Sequence, residues 1–182
     1  LTKEWRGFAS TLANQAAIAI DNAEMFEDLQ RINLELTRSY DTSLKGWARA
    51  LEMRDHETEG HSQRVVELTL KLAKRIGVQD EQLASIRRGT LLHDIGKIAI
   101  PDSILLKPGE LTEEEWKIIK RHPLYARRML EPISYLKEAM SIPLYHHEWW
   151  NGEGYPEGLQ STEIPLAARI FAVVDVWDAL IN

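Results

Sequence analysis

Apolar and polar residues with helical spacing fill the first half of the chain. Within residues 9–52 the only glycine is Gly46, and proline first occurs at Pro101. Because glycine and proline interrupt helices, this half predicts long helices, and the second half predicts shorter helices joined by loops. No segment alternates apolar and polar residues over the length of a strand. The pattern therefore predicts an all-α fold.

One apolar seam follows the helix predicted before residue 52. Its members alternate spacings of three and four residues, and they are Phe26, Leu29, Asn33, Leu36, Tyr40, Ser43, Trp47 and Ala50. Such spacing is typical of a coiled coil and also of an amphipathic helix packed on its own domain. Two alternatives follow, a linker helix that forms a homodimer and a helix whose seam is buried by its own chain.

Residues typical of helix ends divide the rest of the chain. Gly77 follows an apolar stripe and predicts a helix end, and Asp80 predicts the N-cap of the next helix. Thr112 and Glu115 have the spacing of a capping box. Residues 166–181 are long and apolar enough to predict a mostly buried helix, although two adjacent valines suggest a strand as the alternative.

Composition narrows the classes of function. The 182 residues are 44% hydrophobic and 27% charged, which suits one ordinary domain with an extra element. A net charge of -6 disfavours binding to a nucleic-acid polymer, but it is compatible with a small anionic substrate if bound cations reverse the local field. The absence of Cys restricts any metal site to nitrogen and oxygen ligands and fits a cytoplasmic location.

The ends of the sequence suggest a piece of a longer protein. The chain begins without Met and stops just after an apolar segment at Asn182. It has no signal-peptide pattern, and no apolar run approaches the ~20 residues that span a bilayer. We therefore expect neither a membrane span nor a secretory leader in these residues.

Histidine and acidic residues recur in five stretches that the pattern predicts to be largely buried. The candidate metal ligands are Glu57, His61, His93, Asp94, His122, His146, His147 and Asp175. Glu57 and His61 are four residues apart and would share one face of a helix, either as two ligands or as a surface pair. Asp178 is the rival of Asp175, and we expect it to support a ligand.

The pair His93 and Asp94 has apolar neighbours, so we expect its carboxylate to be buried. A buried carboxylate needs a partner, which is either a metal cation or one of the arginines Arg64, Arg88 and Arg169. The candidate ligands outnumber those of a four-coordinate zinc site and suit two or three divalent ions. Hard oxygen and imidazole donors without thiolate favour Fe or Mn.

Such ions favour hydrolysis of a phosphate ester, in which water attacks phosphorus in line. Asp94 and Lys97 are the candidate catalytic residues. Lys97 follows Asp94 by about one turn and could direct its ammonium group at a phosphate, with a solvated surface lysine as the alternative.

Four segments resemble the HD-GYP family, a branch of the HD phosphohydrolase superfamily. They are 91–98 (LLHDIGKI), 100–102 (IPD), 107–112 (KPGELT) and 146–159 (HHEWWNGEGYPEGL). The first contains the pair His93 and Asp94, and the last contains the GYP triplet at residues 154–156. The resemblance covers residues 45–182 and implies an all-α bundle of the HD type.

The resemblance also implies an activity and roles for particular residues. The implied activity is metal-dependent hydrolysis of cyclic di-GMP to pGpG or GMP. The implied metal ligands are His61, His93, Asp94, His122, His146, His147 and Asp175, and Glu57 implies a third ion. Lys97 would contact a substrate phosphate. Gly154, Tyr155 and Pro156 would shape the mouth of the site, where Tyr155 would contact substrate or a signalling-protein partner.

Two features depart from the family pattern. Ser161 stands where the family has glycine, and the chain ends at Asn182, before a basic stretch that helps the family to bind substrate phosphates. Two alternatives to the phosphodiesterase follow. One is a catalytically silent signalling module, and the other is an HD phosphohydrolase that acts on a different nucleotide.

The beginning of the chain resembles a different kind of domain. Segment 8–24 (FASTLANQAAIAIDNAE) is similar to the last helix of a GAF sensor domain. The sequence therefore predicts the end of a sensor and a linker helix at residues 1–44. It predicts a C-terminally truncated HD-GYP domain at residues 45–182.

Overall fold

The computed structural model describes residues 2–55 and 60–181, and within these ranges it contains helices and no strand. The α-helices are α1 (Lys3–Asp55), α2 (His61–Arg75), α3 (Asp80–Leu91), α4 (Asp102–Leu105), α5 (Glu113–Ile119), α6 (His122–Leu130), α7 (Ser141–Tyr145) and α8 (Leu166–Ile181). Three 3₁₀ helices are Ile95–Ala99, Ser134–Met140 and Ser161–Glu163. The all-α prediction is confirmed. None of the described helices combines the length and the apolar character that a membrane crossing requires.

The chain divides into two compact units, Leu1–Thr42 and Ser43–Asn182. Within the first unit the side chains of the predicted seam are exposed, as Phe26 at 61% and Leu29 at 60% illustrate. Burial of this part of the seam by the chain itself is therefore wrong. Dimerisation through it stays a prediction.

The last turns of α1 belong to the second unit and bury a different face from the predicted one. Leu44, Ala48 and Leu51 are buried, with the spacing of one helix face. Trp47, which the seam predicted on the contact face, is exposed at 45%. The domain therefore buries a stripe one position away from the predicted seam.

A hydrophobic core holds the helices that surround the candidate site. Val65 and Ala73 of α2, Ile142 of α7, and Phe171 and Val174 of α8 pack together. The prediction of a helix at residues 166–181 is confirmed at both ends by α8. Since the buried face of α8 meets α2 and α7, segments that are distant in sequence meet around this core.

Predicted helix ends were mostly confirmed. The backbone N–H of Glu115 donates to Thr112 Oγ1 at 3.3 Å, and the N–H of Thr112 donates to Glu115 Oε2 at 2.7 Å, which completes the capping box. Helix α2 ends just before Gly77, whose φ of 86° is left-handed. The N-cap prediction for Asp80 was wrong, because α3 begins at Asp80 and Gln79 is its N-cap. The Asp80 carboxylate instead lies in the first turn, where the helix dipole favours negative charge.

Ser161 has a φ of 54°, in the left-handed region. This is the position where the resembling family has glycine. Left-handed backbone costs a residue with a Cβ roughly 1–2 kcal/mol, and glycine avoids this cost. Ser161 therefore adopts a backbone conformation that glycine would adopt without this cost.

Candidate metal centre

One group of four side chains converges on a cavity in the second unit. Ligand atoms of Asp94, His122, His146 and His147 all lie within 4.8 Å of one another. Asp94 Oδ1 is 3.1 Å from His122 Nε2 and 3.6 Å from His146 Nε2. We call these four residues the inner group, because His122, His146 and Asp94 are buried.

A second group lies beside the first. Ligand atoms of His61, His93 and Asp175 also lie within 4.8 Å of one another, and we call these residues the outer group. His61 Nε2 is 3.8 Å from Asp175 Oδ1. Asp94 Oδ2 is 3.2 Å from His93 Nε2, so the Asp94 carboxylate faces both groups.

The backbone orients three of the imidazoles. Each Nδ1 lies at hydrogen-bond distance from a carbonyl about one turn earlier, in the pairs His93–Thr90 (2.9 Å), His122–Ile119 (3.0 Å) and His146–Ile142 (3.0 Å). A carbonyl only accepts, so each Nδ1 carries the proton and each Nε2 presents a lone pair. The Nε2 atoms of His122 and His146 are 3.3 Å apart. Two facing lone pairs at this distance repel unless a proton or a cation lies between them, and this donor set therefore fits a metal ion.

Electrostatics favours the metal-binding protonation states. Burial alone would raise the pKa of Asp94, but positive charge close to the carboxylate, such as the Lys97 ammonium, holds this pKa well below its ordinary value. Burial, followed by the charge of His146, lowers the pKa of His147 to about 2. Burial also lowers the pKa of His146. The carboxylate is thus ionised and these imidazoles are neutral at pH 7, as metal ligands must be.

An ion pair between Asp178 and Arg64 orients His61. His61 Nδ1 is 2.9 Å from Asp178 Oδ2, and Arg64 donates to both oxygens of the same carboxylate at 3.0 Å. The hydrogen bond from Arg64 lowers the pKa of Asp178 although burial opposes it. Asp178 therefore supports the candidate ligand His61, as the sequence suggested. Arg64, one of the arginines considered as a partner of Asp94, pairs with Asp178.

His93 and Asp94 lie between the end of α3 and the 3₁₀ helix Ile95–Ala99, where the chain turns sharply. This turn packs against α6 only with glycine at position 96, because a Cβ there would overlap the carbonyl oxygen of His122 at the start of α6. Only glycine permits the backbone of the turn to approach α6 so closely. This approach brings Asp94 next to His122.

Lys97 lies over the Asp94 carboxylate. Its Nζ is 2.6 Å from Asp94 Oδ2 and 3.3 Å from Asp55 Oδ2, and its side chain is only 19% exposed. The alternative of a solvated surface lysine was wrong. No local pattern singled out Asp55, because its partner Lys97 lies 42 residues away in the chain.

The GYP triplet faces the inner group. The ring of Tyr155 stacks on that of His147, with centroids 4.7 Å apart and an interplanar angle of 25°. A Cβ on Gly154 would overlap the backbone of Glu148 and its two neighbours in the chain, so glycine is required for this approach. Burial raises the pKa of Tyr155, so its hydroxyl stays protonated at neutral pH.

Glu148 anchors the loop that carries the triplet, and sequence reasoning missed this residue. Its buried carboxylate accepts backbone N–H groups of Glu157 (2.7 Å), Gly158 (3.1 Å) and Leu159 (3.0 Å). The available signal was an acidic residue directly after two histidines. An acidic residue at that place could equally be a metal ligand, so the signal did not indicate a loop anchor. The three bonds hold the loop against the start of the HHE segment, which places Tyr155 over His147.

Glu57 lies outside the described residues. The prediction that Glu57 and His61 share one face of a helix therefore stays a prediction. Helix α2 begins at His61, and Gly60 before it has a left-handed φ of 78°. Such a backbone interrupts a right-handed helix.

All members of the two groups except His146 line a cavity of about 430 Å³. Trp116 and Ile119 of α5 form an apolar part of its wall, and Lys97 and Tyr155 also face it. Trp116 is 48% exposed, so part of its indole is open to a ligand. The sequence offered only a tryptophan on an amphipathic helix, which does not distinguish a binding wall from core.

Comparisons with known proteins give a family match and several relatives. Residues 46–182 match the sequence profile described as an HD domain. The chain is 44% identical over 142 residues to the cyclic di-GMP phosphodiesterase response regulator RpfG of Xanthomonas campestris pv. campestris, covering 77% of this chain and 38% of that protein. It is 38% identical over 165 residues to the 3'3'-cGAMP-specific phosphodiesterase 2 of Vibrio cholerae serotype O1, covering 90% of this chain and 30% of that protein.

A solved structure is also similar to this chain. An HDG"Y"P protein from Bdellovibrio bacteriovorus is similar with a TM-score of 0.57 and 26% identity, covering 66% of this chain and 40% of that one. The chain thus spans 38% and 30% of the lengths of the two curated relatives named above.

Proposed function

This chain belongs to the HD domain family, and from that premise we propose that it is a metal-dependent phosphodiesterase that hydrolyses a cyclic dinucleotide, with cyclic di-GMP as the first candidate. The observation that carries the proposal is the convergence of two ligand groups on the Asp94 carboxylate. The names of the two curated relatives, which specify cyclic di-GMP and 3'3'-cGAMP, support this class of substrate.

The donor set fits divalent metal ions. The inner group would hold one ion and the outer group a second, with Asp94 between them. Nitrogen and oxygen donors without thiolate suit Fe or Mn. Bound ions would supply Lewis acidity toward a water nucleophile and toward the phosphoryl oxygens. A third ion would need Glu57 as a ligand, and this third ion is part of the proposal.

The chain's own residues would bind and orient the phosphate. The Lys97 ammonium faces the cavity beside Asp94 and would bind a phosphoryl oxygen. The Tyr155 hydroxyl, which stays protonated, would donate a hydrogen bond to an oxygen of the substrate. Stacking of Tyr155 on His147 fixes the direction of this donor.

The wall opposite the ligand groups favours a nucleotide over a simple phosphate ester. The partly exposed indole of Trp116 lines the cavity and offers a face on which a purine would stack. Base stacking on an aromatic side chain contributes roughly 1–3 kcal/mol. We therefore expect Trp116→Ala to raise KM for a cyclic dinucleotide about 5- to 100-fold at unchanged metal content, with the exposed Trp5→Ala as the matched control.

Metal analysis combined with turnover tests the proposed function. Protein purified without oxygen would be loaded with Fe(II) or Mn(II), and hydrolysis of cyclic di-GMP and 3'3'-cGAMP would be measured. We expect metal-dependent formation of a linear dinucleotide or of mononucleotides. Metal-loaded protein that hydrolyses no cyclic dinucleotide would overturn the proposal, and turnover of nucleoside triphosphates in its place would favour the other phosphohydrolase alternative.

A second candidate function, recruitment of a signalling partner, has an observation in its favour. Trp149 and Trp150 are 56% and 61% exposed at the base of the GYP loop, whereas Tyr155 faces the cavity. Exposed tryptophans are frequent anchors in protein interfaces. A partner at this loop would therefore contact Trp149 and Trp150, and a partner that binds their double alanine variant equally well would contradict this assignment.

The first unit is proposed to be the end of a sensor with a linker helix that forms a homodimer. Support comes from the exposed seam of α1, which has heptad-like spacing. We expect Leu29→Asp to shift the chain from dimer to monomer in light scattering, and Glu35→Asp to have no such effect. A monomeric wild-type chain at micromolar concentration would contradict the homodimer.

A further inference from the structure

The guanidinium group of Arg54, in the last turn of α1, makes an unusually complete set of hydrogen bonds. Nη1 donates to the carbonyl oxygens of Lys97 (3.0 Å) and Ile98 (3.1 Å), and Nη2 donates to that of Ile100 (2.6 Å). Nε and Nη2 also donate to Asp102 Oδ1 at 3.0 and 2.7 Å. Because a guanidinium has five N–H groups, these bonds use its full donor capacity.

Two of the carbonyls that Arg54 binds, those of Lys97 and Ile98, belong to the 3₁₀ turn that carries Lys97, and the third, that of Ile100, directly follows it. This 3₁₀ helix spans only Ile95–Ala99, and such short helices have poor internal hydrogen-bond geometry. The turn therefore depends on outside contacts for its position. Arg54 provides them on one side, while the close approach of Gly96 to α6 fixes the other side.

Asp55, the residue after Arg54, contacts the side chain of Lys97. The Asp55 carboxylate is 2% exposed and lies 3.3 Å from Lys97 Nζ, which itself is 2.6 Å from Asp94 Oδ2. The end of α1 thus contacts Lys97 twice, through its backbone and through its ammonium group. A displacement of this last turn would move Lys97 relative to Asp94.

We propose that Arg54 is a positioning residue, which ties the 3₁₀ turn to the end of α1 and thereby fixes the Lys97 ammonium beside Asp94. The inference rests on the proposed function in one respect, namely that Lys97 binds the substrate phosphate. A lysine ammonium sits on a flexible four-carbon stem, so the position of its backbone sets the volume that it can reach. Arg54 does not face the cavity, and it acts through Lys97.

Arg54→Lys is the diagnostic variant, because it keeps the positive charge and removes the planar fork. An ammonium group has three donors and cannot span the separate carbonyls and Asp102. Arg49→Lys, on the exposed part of α1, is the matched control. Asp102→Asn is a milder second variant if Arg54→Lys does not fold, because it weakens the bonds to Asp102 and leaves the carbonyl bonds.

A double-mutant cycle with Lys97→Met distinguishes positioning from a general structural role. In the full metal-loaded chain, we expect Arg54→Lys to retain the bound metal and to lower kcat/KM for cyclic di-GMP roughly 10- to 100-fold. In the Lys97→Met background, the same substitution should change kcat/KM less than about 2-fold. An equal loss in both backgrounds, a loss of metal, or wild-type activity would each overturn the proposal.

Amide hydrogen exchange supplies a readout that does not need turnover. The N–H groups of Lys97 and Ile100 donate to Asp94 and Lys97 carbonyls at 2.8 and 2.9 Å within the turn. We expect both amides to exchange about 10-fold faster in Arg54→Lys and unchanged in Arg49→Lys. Unchanged exchange in Arg54→Lys overturns the proposal. Faster exchange in a chain whose wild type hydrolyses no cyclic dinucleotide rejects the proposed function and supports the anchoring by Arg54.

Discussion

The inner and outer groups differ in how one imidazole, that of His61, is oriented. In the inner group, His122 and His146 are oriented by carbonyls about one turn earlier in the chain. In the outer group, His61 is oriented by Asp178, which is 117 residues away and is itself held by Arg64. A carboxylate partner makes an imidazole more basic than a carbonyl partner does. Local backbone thus orients His122 and His146, and also His93 of the outer group, whereas an ion pair between α2 and α8 orients His61.

The largest expected effect comes from the residue that both groups share. Asp94→Asn keeps the size of the side chain and removes the charge that faces His93, His122 and His146. We expect loss of metal from both groups and a fall in kcat of roughly 10³-fold or more. The measurements are elemental analysis and steady-state turnover, with the exposed Asp80→Asn as the control. Full metal content in Asp94→Asn would contradict the shared position.

A matched pair of substitutions tests whether the groups are separable. His147→Ala removes a ligand from the inner group and Asp175→Ala removes one from the outer group. We expect each variant to bind about one ion fewer and to retain the other, with turnover reduced about 10²-fold or more. Titration of metal into the metal-free proteins measures this. Loss of all metal from either variant would mean that the two groups bind their ions only together.

Glu57→Ala tests the third ion that the family resemblance implies. The described residues form two ligand groups, so a further ion would depend on Glu57. We expect about one ion fewer per chain, and the inner and outer groups should keep theirs. Elemental analysis beside Glu59→Ala provides the control. Equal metal content in wild type and Glu57→Ala would show that Glu57 holds no ion.

The smallest expected effect concerns the ion pair behind the outer group. Arg64→Met removes the bidentate bond that lowers the pKa of Asp178. Because this folded pKa is lowered, its stabilisation is fully present above the unfolded value of about 3.9 and is lost as pH falls through the folded pKa. We expect the metal-free variant to lose about 1 kcal/mol at pH 7, or about 2–4 °C in Tm.

The difference between Arg64→Met and wild type should vanish at a pH below the folded pKa of Asp178. Thermal unfolding followed by circular dichroism at several pH values measures both effects. Arg87→Met, which changes an exposed arginine on α3, is the control. A difference that persists unchanged into acid would show that Arg64 stabilises the fold by packing alone.

Sequence patterns were most reliable where one or two turns of chain decide the outcome. The capping box at Thr112, the helix end before Gly77 and both ends of α8 followed from local spacing. The Asp80 cap did not, because a single residue type fits several local geometries. The buried face of α1 was placed one position off, since only the helices of the second unit decide which stripe they cover.

By itself, the sequence determined the kinds of donor atoms, the all-α fold and most helix ends, because these depend on residue chemistry and on neighbours within a few positions. Only the tertiary structure decided that His61 meets Asp178, that Glu148 anchors the loop of Tyr155, and that Arg54 holds the turn of Lys97. The first and last of these contacts join segments that lie far apart in the chain. The physical reason is that packing of the shared core, rather than any local preference, sets which distant side chains come within hydrogen-bond distance.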